Sequence, residues 1–386
     1  MKLLRLTFVP FALLAVAAIR ILARFGILIR IGEFWSERIG HLGGNTECYL
    51  CERDEGMQSG IDIWFHRCTP ANLQLAKMQS RVMRVDPTGF ARIVSLCDRL
   101  FPGWERNAIQ PIQLDRDINN LWCKHYPHLE FTREEEERGE KTLIEDIGIP
   151  FGAKFVCLIV RDNAYLPQLG YHDFRNADIS SYELAAQEFV ERGYYVVRMG
   201  AKVEKPFRSE FVIDYAANGM RSDFMDVYLG AKCTFCLSSG CGFDVIPAVF
   251  RRPICYTNYV PFEYLWTFSE GSLAIWKHHE KDGKRMSVAE IVASGAGQFM
   301  RAEEFAQAGI TLVDNTAEEI AAVASEMADQ MDGWFIRSGF RGLESGLTPE
   351  EQFWKSFPRA ISPYNKQPLH GEIKMRIGAE FLKGYQ

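Results

Sequence analysis

Four familiar signatures are missing from this chain of 386 residues: it contains no GxxxxGK[ST], no GxGxxG, no HExxH and no GxSxG segment. Their absence argues against P-loop enzymes, common dinucleotide oxidoreductases, zincins and α/β-hydrolases. It also lacks an excess of positive charge, with 44 Lys and Arg against 50 Asp and Glu and a net charge of −6. Nucleic acid is therefore not expected as a partner, because no overall basic field would hold a polyanion. The ten cysteines are too dilute for a disulfide scaffold, and several sit in apolar runs such as Phe155-Val-Cys157-Leu. They read as reduced thiols, hence as facing the cytoplasm. Two CxxC pairs, Cys48/Cys51 and Cys233/Cys236, have the spacing of a four-thiolate zinc site, but the second lies in an alternating strand pattern. No metal is expected.

The N-terminus has no acid before Glu33 and carries five cations, Lys2, Arg5, Arg20, Arg24 and Arg30. Its first apolar run, residues 6–19, is 14 residues long, short of the roughly 20 that a spanning helix needs. A cleaved leader fits poorly, because the apolar pattern resumes beyond Arg20 with Arg interleaved. Residues 1–33 read as an amphipathic helix lying on an anionic membrane surface, with a single-pass signal anchor as the second reading.

What is present has the balance of a globular protein, 47% apolar and 24% charged, with length for roughly two domains of about 150 residues each. After Glu33, strands alternate with amphipathic helices, the pattern of an α/β fold with a covered parallel sheet. Arg38-Ile-Gly-His-Leu42 reads as a strand feeding a Gly43-Gly44 turn, and Ile61-Asp-Ile-Trp-Phe65 as a second strand. Helices are expected over 72–79, 89–100 and from Thr132. Ile147-Gly-Ile-Pro-Phe-Gly152 marks a domain boundary, giving domains at 34–150 and 151–333 and a tail, 334–386, that crosses back to the first. In the second half, residues 154–160, 194–198, 212–214, 233–237 and 253–256 read as strands and 180–192, 223–229, 243–250 and 317–331 as helices.

The segment Leu237-Ser-Ser-Gly-Cys-Gly-Phe-Asp244 ends a strand and opens a helix. Such a turn exposes backbone N–H groups at a positive helix end, where a phosphate binds, with Ser238 and Ser239 as donors and Gly240 and Gly242 permitting close approach. Arg161 follows one apolar strand and Arg198-Met-Gly200 closes the next, so two guanidinium groups are expected at the carboxyl ends of neighbouring parallel strands. Ligands bind at that edge, and an Arg fork matches two diphosphate oxygens without losing its proton. Asn163, Tyr171, His172, Arg175 and Asn176 make a polar, aromatic loop suited to a sugar or base. A histidine side chain ordinarily titrates near working pH, which makes His41 a candidate general base, with Glu47 and Asp162 as rivals.

Arg38-Ile-Gly-His-Leu with Asn45-Thr-Glu47, then Val160-Arg-Asp162, Phe174-Arg-Asn-Ala-Asp178, Val197-Arg-Met-Gly200, Ser222-Asp-Phe-Met-Asp226, Ser238-Ser-Gly240, Thr257-Asn258 and the terminal His370-Gly-Glu and Arg376-Ile-Gly together resemble a family of bacterial glycosyltransferases of surface-polysaccharide and lipopolysaccharide gene clusters. The Val160-Arg161 element is also similar to the His-x-Arg element of fucosyltransferase-like GT-B enzymes, with Ile159 where that His would stand. The resemblance implies two Rossmann-like domains facing across a cleft, and transfer of a sugar from a nucleotide-sugar to a glycan or lipid-linked acceptor. The cytoplasmic face of the inner membrane is the implied location. It puts Arg161, Arg198, Gly200, Ser238, Ser239 and Gly240 at the donor diphosphate and Arg175, Asn176, Asp223, Asp244 and Asn258 at its sugar or base. No Asp-x-Asp follows a strand in the first half, so neither a metal nor another cofactor is expected. A catalytically inert glycan-binding scaffold, or transfer of a non-sugar group such as pyruvyl, are the alternatives.

Overall fold

The computed structural model describes residues 7–109, 116–164, 167–333, 349–363 and 366–384. The chain divides into two compact units, residues 1–131 and 132–386.

The N-terminal unit opens with helix α1, Val9–Arg24. The helix stops there because Gly26 adopts a positive φ of 84°, a conformation that costs glycine little. Strand β1, Ile29–Phe34, follows and pairs in parallel with β2, Ile61–His66. Single bridges from Ala108 to β1 and from Val85 to β2 extend the pair on either side. The expected strand at 38–42 is instead the start of α2, Ile39–Asp54. Leu42, Thr46 and Leu50 fall on one buried helical stripe, and Thr46 Oγ1 donates to the Leu42 carbonyl at 2.7 Å, so burial overrides the turn that the glycine pair suggests. Helix α3, Leu73–Val82, starts where the Asn72 side chain accepts from the Leu75 amide, and α4, Phe90–Asp98, follows the left-handed Gly89. Ala12 and Val16 of α1 pack with Ile31, Phe65, Ala91 and Val94 in the core.

Helix α5, Arg133–Glu145, begins with a capping box between Thr132 and Glu135. It belongs to the C-terminal unit: Lys232 pairs with Glu136 at 2.7 Å, and a Cβ on Gly139 would stand 2.1 Å from the Tyr228 ring. The units thus divide ahead of this helix and not at the Gly- and Pro-containing stretch 147–152.

Six parallel strands form the main sheet: β3, Phe155–Ile159; β4, Tyr195–Arg198; β5, Phe235–Ser238; β6, Ile254–Tyr259; β7, Leu273–Trp276; and β8, Arg376–Ile377. Their spatial order is β8-β7-β6-β5-β3-β4. Every residue of β3 and β5 is buried, as a sheet covered on both faces requires. From β3 the chain adds β4 on one side, then returns to build β5, β6 and β7 on the other. The order therefore reverses between β3 and β5. Residues 212–214 contribute only a bridge from Ile213 to Val197. The described tail packs within this unit, where β8 pairs with β7 and Phe353 stacks on Trp276.

Candidate functional site

Residues after β3 and β5 meet at the reversal. Ile159 and Ser238 are register partners, and just beyond them the Arg161 amide donates to Ser239 Oγ at 2.8 Å. Arg175 reaches the same bend, donating from Nη2 to the Gly240 carbonyl at 2.9 Å, while its Nε is buried without a hydrogen bond. Gly240 has a φ of 81°, and a Cβ there would lie 2.9 Å from the Tyr259 ring, so only glycine fits. Asn176 Nδ2 donates to Asn163 Oδ1 at 2.6 Å, and Lys277 Nζ donates to the Asn176 carbonyl at 2.6 Å and pairs with Asp314 at 2.7 Å. Arg161, Arg175, Asn163 and Asn176 are half-buried.

The serines build this bend. Ser238 Oγ donates to Asp244 Oδ1 at 2.6 Å and accepts from the Gly240 amide at 3.0 Å, and Ser239 Oγ holds the Arg161 amide. Asp244 is also internal: its other oxygen accepts from the Cys241 amide at 2.8 Å. Burial pushes the Asp244 carboxyl up to about 6, against the opposing pull of Ser238, the Cys241 amide and Arg175. The helix that follows runs only over Val245–Val249, and Asp244 supplies the anion at its start. These three side chains are thus framework, and the Ser239, Gly240 and Cys241 amides are likewise bonded within the bend or to β3.

Other expected site residues are used elsewhere. Arg198 is 2% exposed and donates to the Lys205 carbonyl at 3.0 Å and to Asp214 at 3.4 Å. It lies at the end of the edge strand β4, and its charge is balanced by Asp214. Gly200 packs on Val203, where a Cβ would come to 2.8 Å. Asn258 is fully buried: its amide donates to Asn315 Oδ1 and its Oδ1 accepts from the Asn315 amide, both at 2.6 Å, while its Nδ2 donates to Tyr182. It latches the end of β6 to the segment that carries Asn315. Asp223 sits in the first turn of a helix, paired with Arg221 at 3.3 Å. Asp162 accepts the amides of Ala164 at 2.9 Å and Glu204 at 3.0 Å.

In the N-terminal unit His41 stands edge-on to Trp35, its buried Nδ1 without a hydrogen bond. Glu47 is 1% exposed and bonded to His128 Nδ1 at 3.0 Å, and His128 Nε2 meets Asp54 at 3.2 Å. Burial lowers the His128 pKa, but Glu47 and Asp54 outweigh it and the net shift is upward. A proton between two carboxylates satisfies this group, and Glu47 is too enclosed to serve an acceptor. Among the described residues Glu47, Cys51 and His128 are the group whose atoms lie close enough to share a metal, all within 4.8 Å. A cavity of about 380 Å³ in the same unit is lined by Tyr49, Asp62, Trp64, Arg53, Arg81 and Arg84, among others.

Lys277 was not singled out from the sequence. It follows the apolar strand β7 as Arg161 follows β3, so the same reading of a cation after a buried strand would have found it.

No protein-family model matches the chain, and no curated protein matches it. Among solved structures it is similar to the ADP-heptose lps heptosyltransferase II of E. coli, at 13% identity over 60% of this chain and 86% of that one, with a TM-score of 0.40. It is similar to a family 9 glycosyl transferase of Veillonella parvula, at 11% identity over 79% of this chain and 98% of that one, with a TM-score of 0.45. A third is the iron-containing dodecameric glycosyltransferase TibC of enterotoxigenic E. coli, at 10% identity over 81% and 77%, with a TM-score of 0.37.

Proposed function

We propose that the protein is a glycosyltransferase whose C-terminal unit holds a nucleotide-sugar by its diphosphate, and that transfer needs no metal. The observation that carries this reading is that the Arg161 backbone amide and the Arg175 guanidinium both meet the Ser239-Gly240 bend, where the strand order of a parallel sheet reverses. Crevices outside the carboxyl ends of strands at such reversals are where open α/β sheets bind ligands.

The chemistry follows from charge. As the bond from the anomeric carbon to the diphosphate breaks, negative charge grows on the leaving group. Arg161 and Arg175 would neutralise it from fixed positions, a preorganised electrostatic contribution of the kind that dominates many enzymes. Arginine as a residue type keeps its charge at working pH. Asp162 neighbours Arg161 and keeps lone pairs beyond those its two backbone donors use, which suits it to take the acceptor hydroxyl's proton; His41 is the alternative base. The acceptor, a glycan or a lipid-linked sugar, is assigned to the N-terminal unit, where Arg53, Arg81 and Arg84 line a cavity suited to an anionic group.

One observation favours a binding protein without turnover: Asp244 and the two serines consume polar groups that would otherwise meet phosphate. Incubation with a panel of nucleotide-sugars, with and without lipid-linked acceptors, separates the two. Release of nucleoside diphosphate is expected from one donor. Saturable donor binding with no release, whatever the acceptor, would establish the inert reading instead.

A further inference from the structure

We propose that α1 and the end of α4 form one apolar surface that rests on an anionic lipid bilayer, with α1 lying in the plane of the interface. The inference is independent of the sugar chemistry, because it rests on what α1 buries and what it exposes.

The inward face of α1 is part of a protein core. Ala12 is fully buried and Val16 is 2% exposed, packed with Ala91, Val94 and Cys97 of α4. The outward face is apolar without interruption: every exposed residue from Pro10 to Ile21 is apolar, including Phe11 at 62% and Leu14 at 69%, and Phe25 beyond the helix is 78% exposed. A helix apolar all round belongs inside a protein or against lipid, and here one side alone is inside.

Arg20 joins a second element to this face. Its guanidinium pairs with Asp98 at 2.7 Å, donates to the carbonyls of Pro102 at 3.0 Å and Phe101 at 3.3 Å, and lies 5.3 Å from the Phe101 ring centroid. That brings the turn after α4 beside the helix, with Leu100 76% and Phe101 41% exposed. Two elements fixed by a core and an ion pair make a rigid surface, not a free tail. Isolated exposed apolar residues are ordinary, but a contiguous set across two elements marks a contact site.

Charge selects the occupant. Of the five cations in residues 1–32, Arg20 and Arg30 are paired with Asp98 and Asp62, while Arg24 and Arg99 are exposed at the end of α1 and just after α4, with Glu105 the nearby exposed acid. Each cation near an anionic leaflet adds about 1 kcal/mol of attraction, and the apolar side chains enter the acyl boundary. A second copy docked face to face would set the same cations against each other, which disfavours self-association. Among the described residues no helix is long and apolar enough to cross a membrane: the 16 residues of α1 reach about 24 Å at 1.5 Å per residue, short of the roughly 30 Å hydrocarbon core that a spanning helix must cross. Its inner face would also have to leave the protein.

The test is co-sedimentation of the full chain with vesicles of phosphatidylcholine alone and of phosphatidylcholine with phosphatidylglycerol. Binding to the anionic vesicles is expected, at least tenfold stronger than to neutral ones, weakened by salt and reversed by alkaline carbonate. Phe11→Ser with Leu14→Ser should reduce it at least tenfold, and Phe25→Ser, outside the helix and without a core role, should reduce it severalfold. Leu184→Ser, at an exposed leucine of the other unit, should change nothing. A chain that stays in the supernatant with both vesicles, that binds equally after Phe25→Ser and the double substitution, that resists carbonate as a spanning protein does, or that forms a dimer dissolved by these substitutions without binding vesicles would overturn the proposal.

Discussion

The ends of β3 and β4 look alike in sequence and differ in the structure. Each is a short apolar strand followed by, or ending in, an arginine, and the two strands are neighbours in the sheet. At β3 the loop alongside comes from β5 and offers a serine hydroxyl and a carbonyl, so Arg161 is positioned by its backbone amide. At β4, the edge strand, the chain folds back through residues 203–214 and Asp214 neutralises Arg198. An arginine at a strand end is spent on internal pairing where a carboxylate of the same chain reaches it, as Asp214 reaches Arg198.

The comparison can be broken most sharply at Arg161. Arg161→Ala should lower the rate of transfer by about 10² to 10³, the cost of one preorganised charge-stabilising donor, with thermal stability little changed; turnover near that of the unaltered protein would remove Arg161 from the site. Arg198→Ala should do the reverse. It leaves Asp214 with a lost partner in a 3% exposed pair on the arginine side, and roughly 3 kcal/mol of stability should be lost in urea melts while the rate per folded molecule holds.

Asn258→Ala sharpens the contrast between ligand and latch. It strands the buried Asn315 amide, at a cost of roughly 1–3 kcal/mol, and donor KM per folded molecule should not move; a raised KM would return Asn258 to the sugar site. The smallest effect concerns His128. Its folded pKa is raised above an unfolded value near 6.5, so its contribution is complete below about pH 6.5 and is lost as pH rises through the folded value. The N-terminal unit should therefore lose stability as the solution is made alkaline over that window, and His128→Gln should flatten the trend; an unchanged profile in the variant would contradict the assignment.

Much of this was legible in the chain. The buried strands β3 and β5, the helix opened by Thr132 and the cation after Val160 follow from local pattern alone. The strand Ile29–Phe34 was hidden because its apolar residues continue those of α1, and the hinge between them is one glycine. The pair Gly43-Gly44 reads as a turn, yet burial of Leu42 and Leu50 makes it helix. The destinations of Arg198 and Asn258 depend on Asp214 and Asn315, and the tail's strand depends on register with β7. No spacing rule reaches across such separations. The paired cations of the first helix region were likewise invisible, because Asp98 and Asp62 arrive from other elements.

The most direct measurement is a thermal-shift titration of nucleoside diphosphates against the unaltered chain, Arg161→Ala and Arg198→Ala. One nucleoside diphosphate, at about 100 times its Kd, should stabilise the unaltered protein by about 2.7 kcal/mol, stabilise the Arg198 variant to the same extent relative to its own apo form, and leave the Arg161 variant where it was. Equal stabilisation of the Arg161 variant, or indifference of the unaltered protein to every diphosphate, would contradict a diphosphate site at the reversal between β3 and β5.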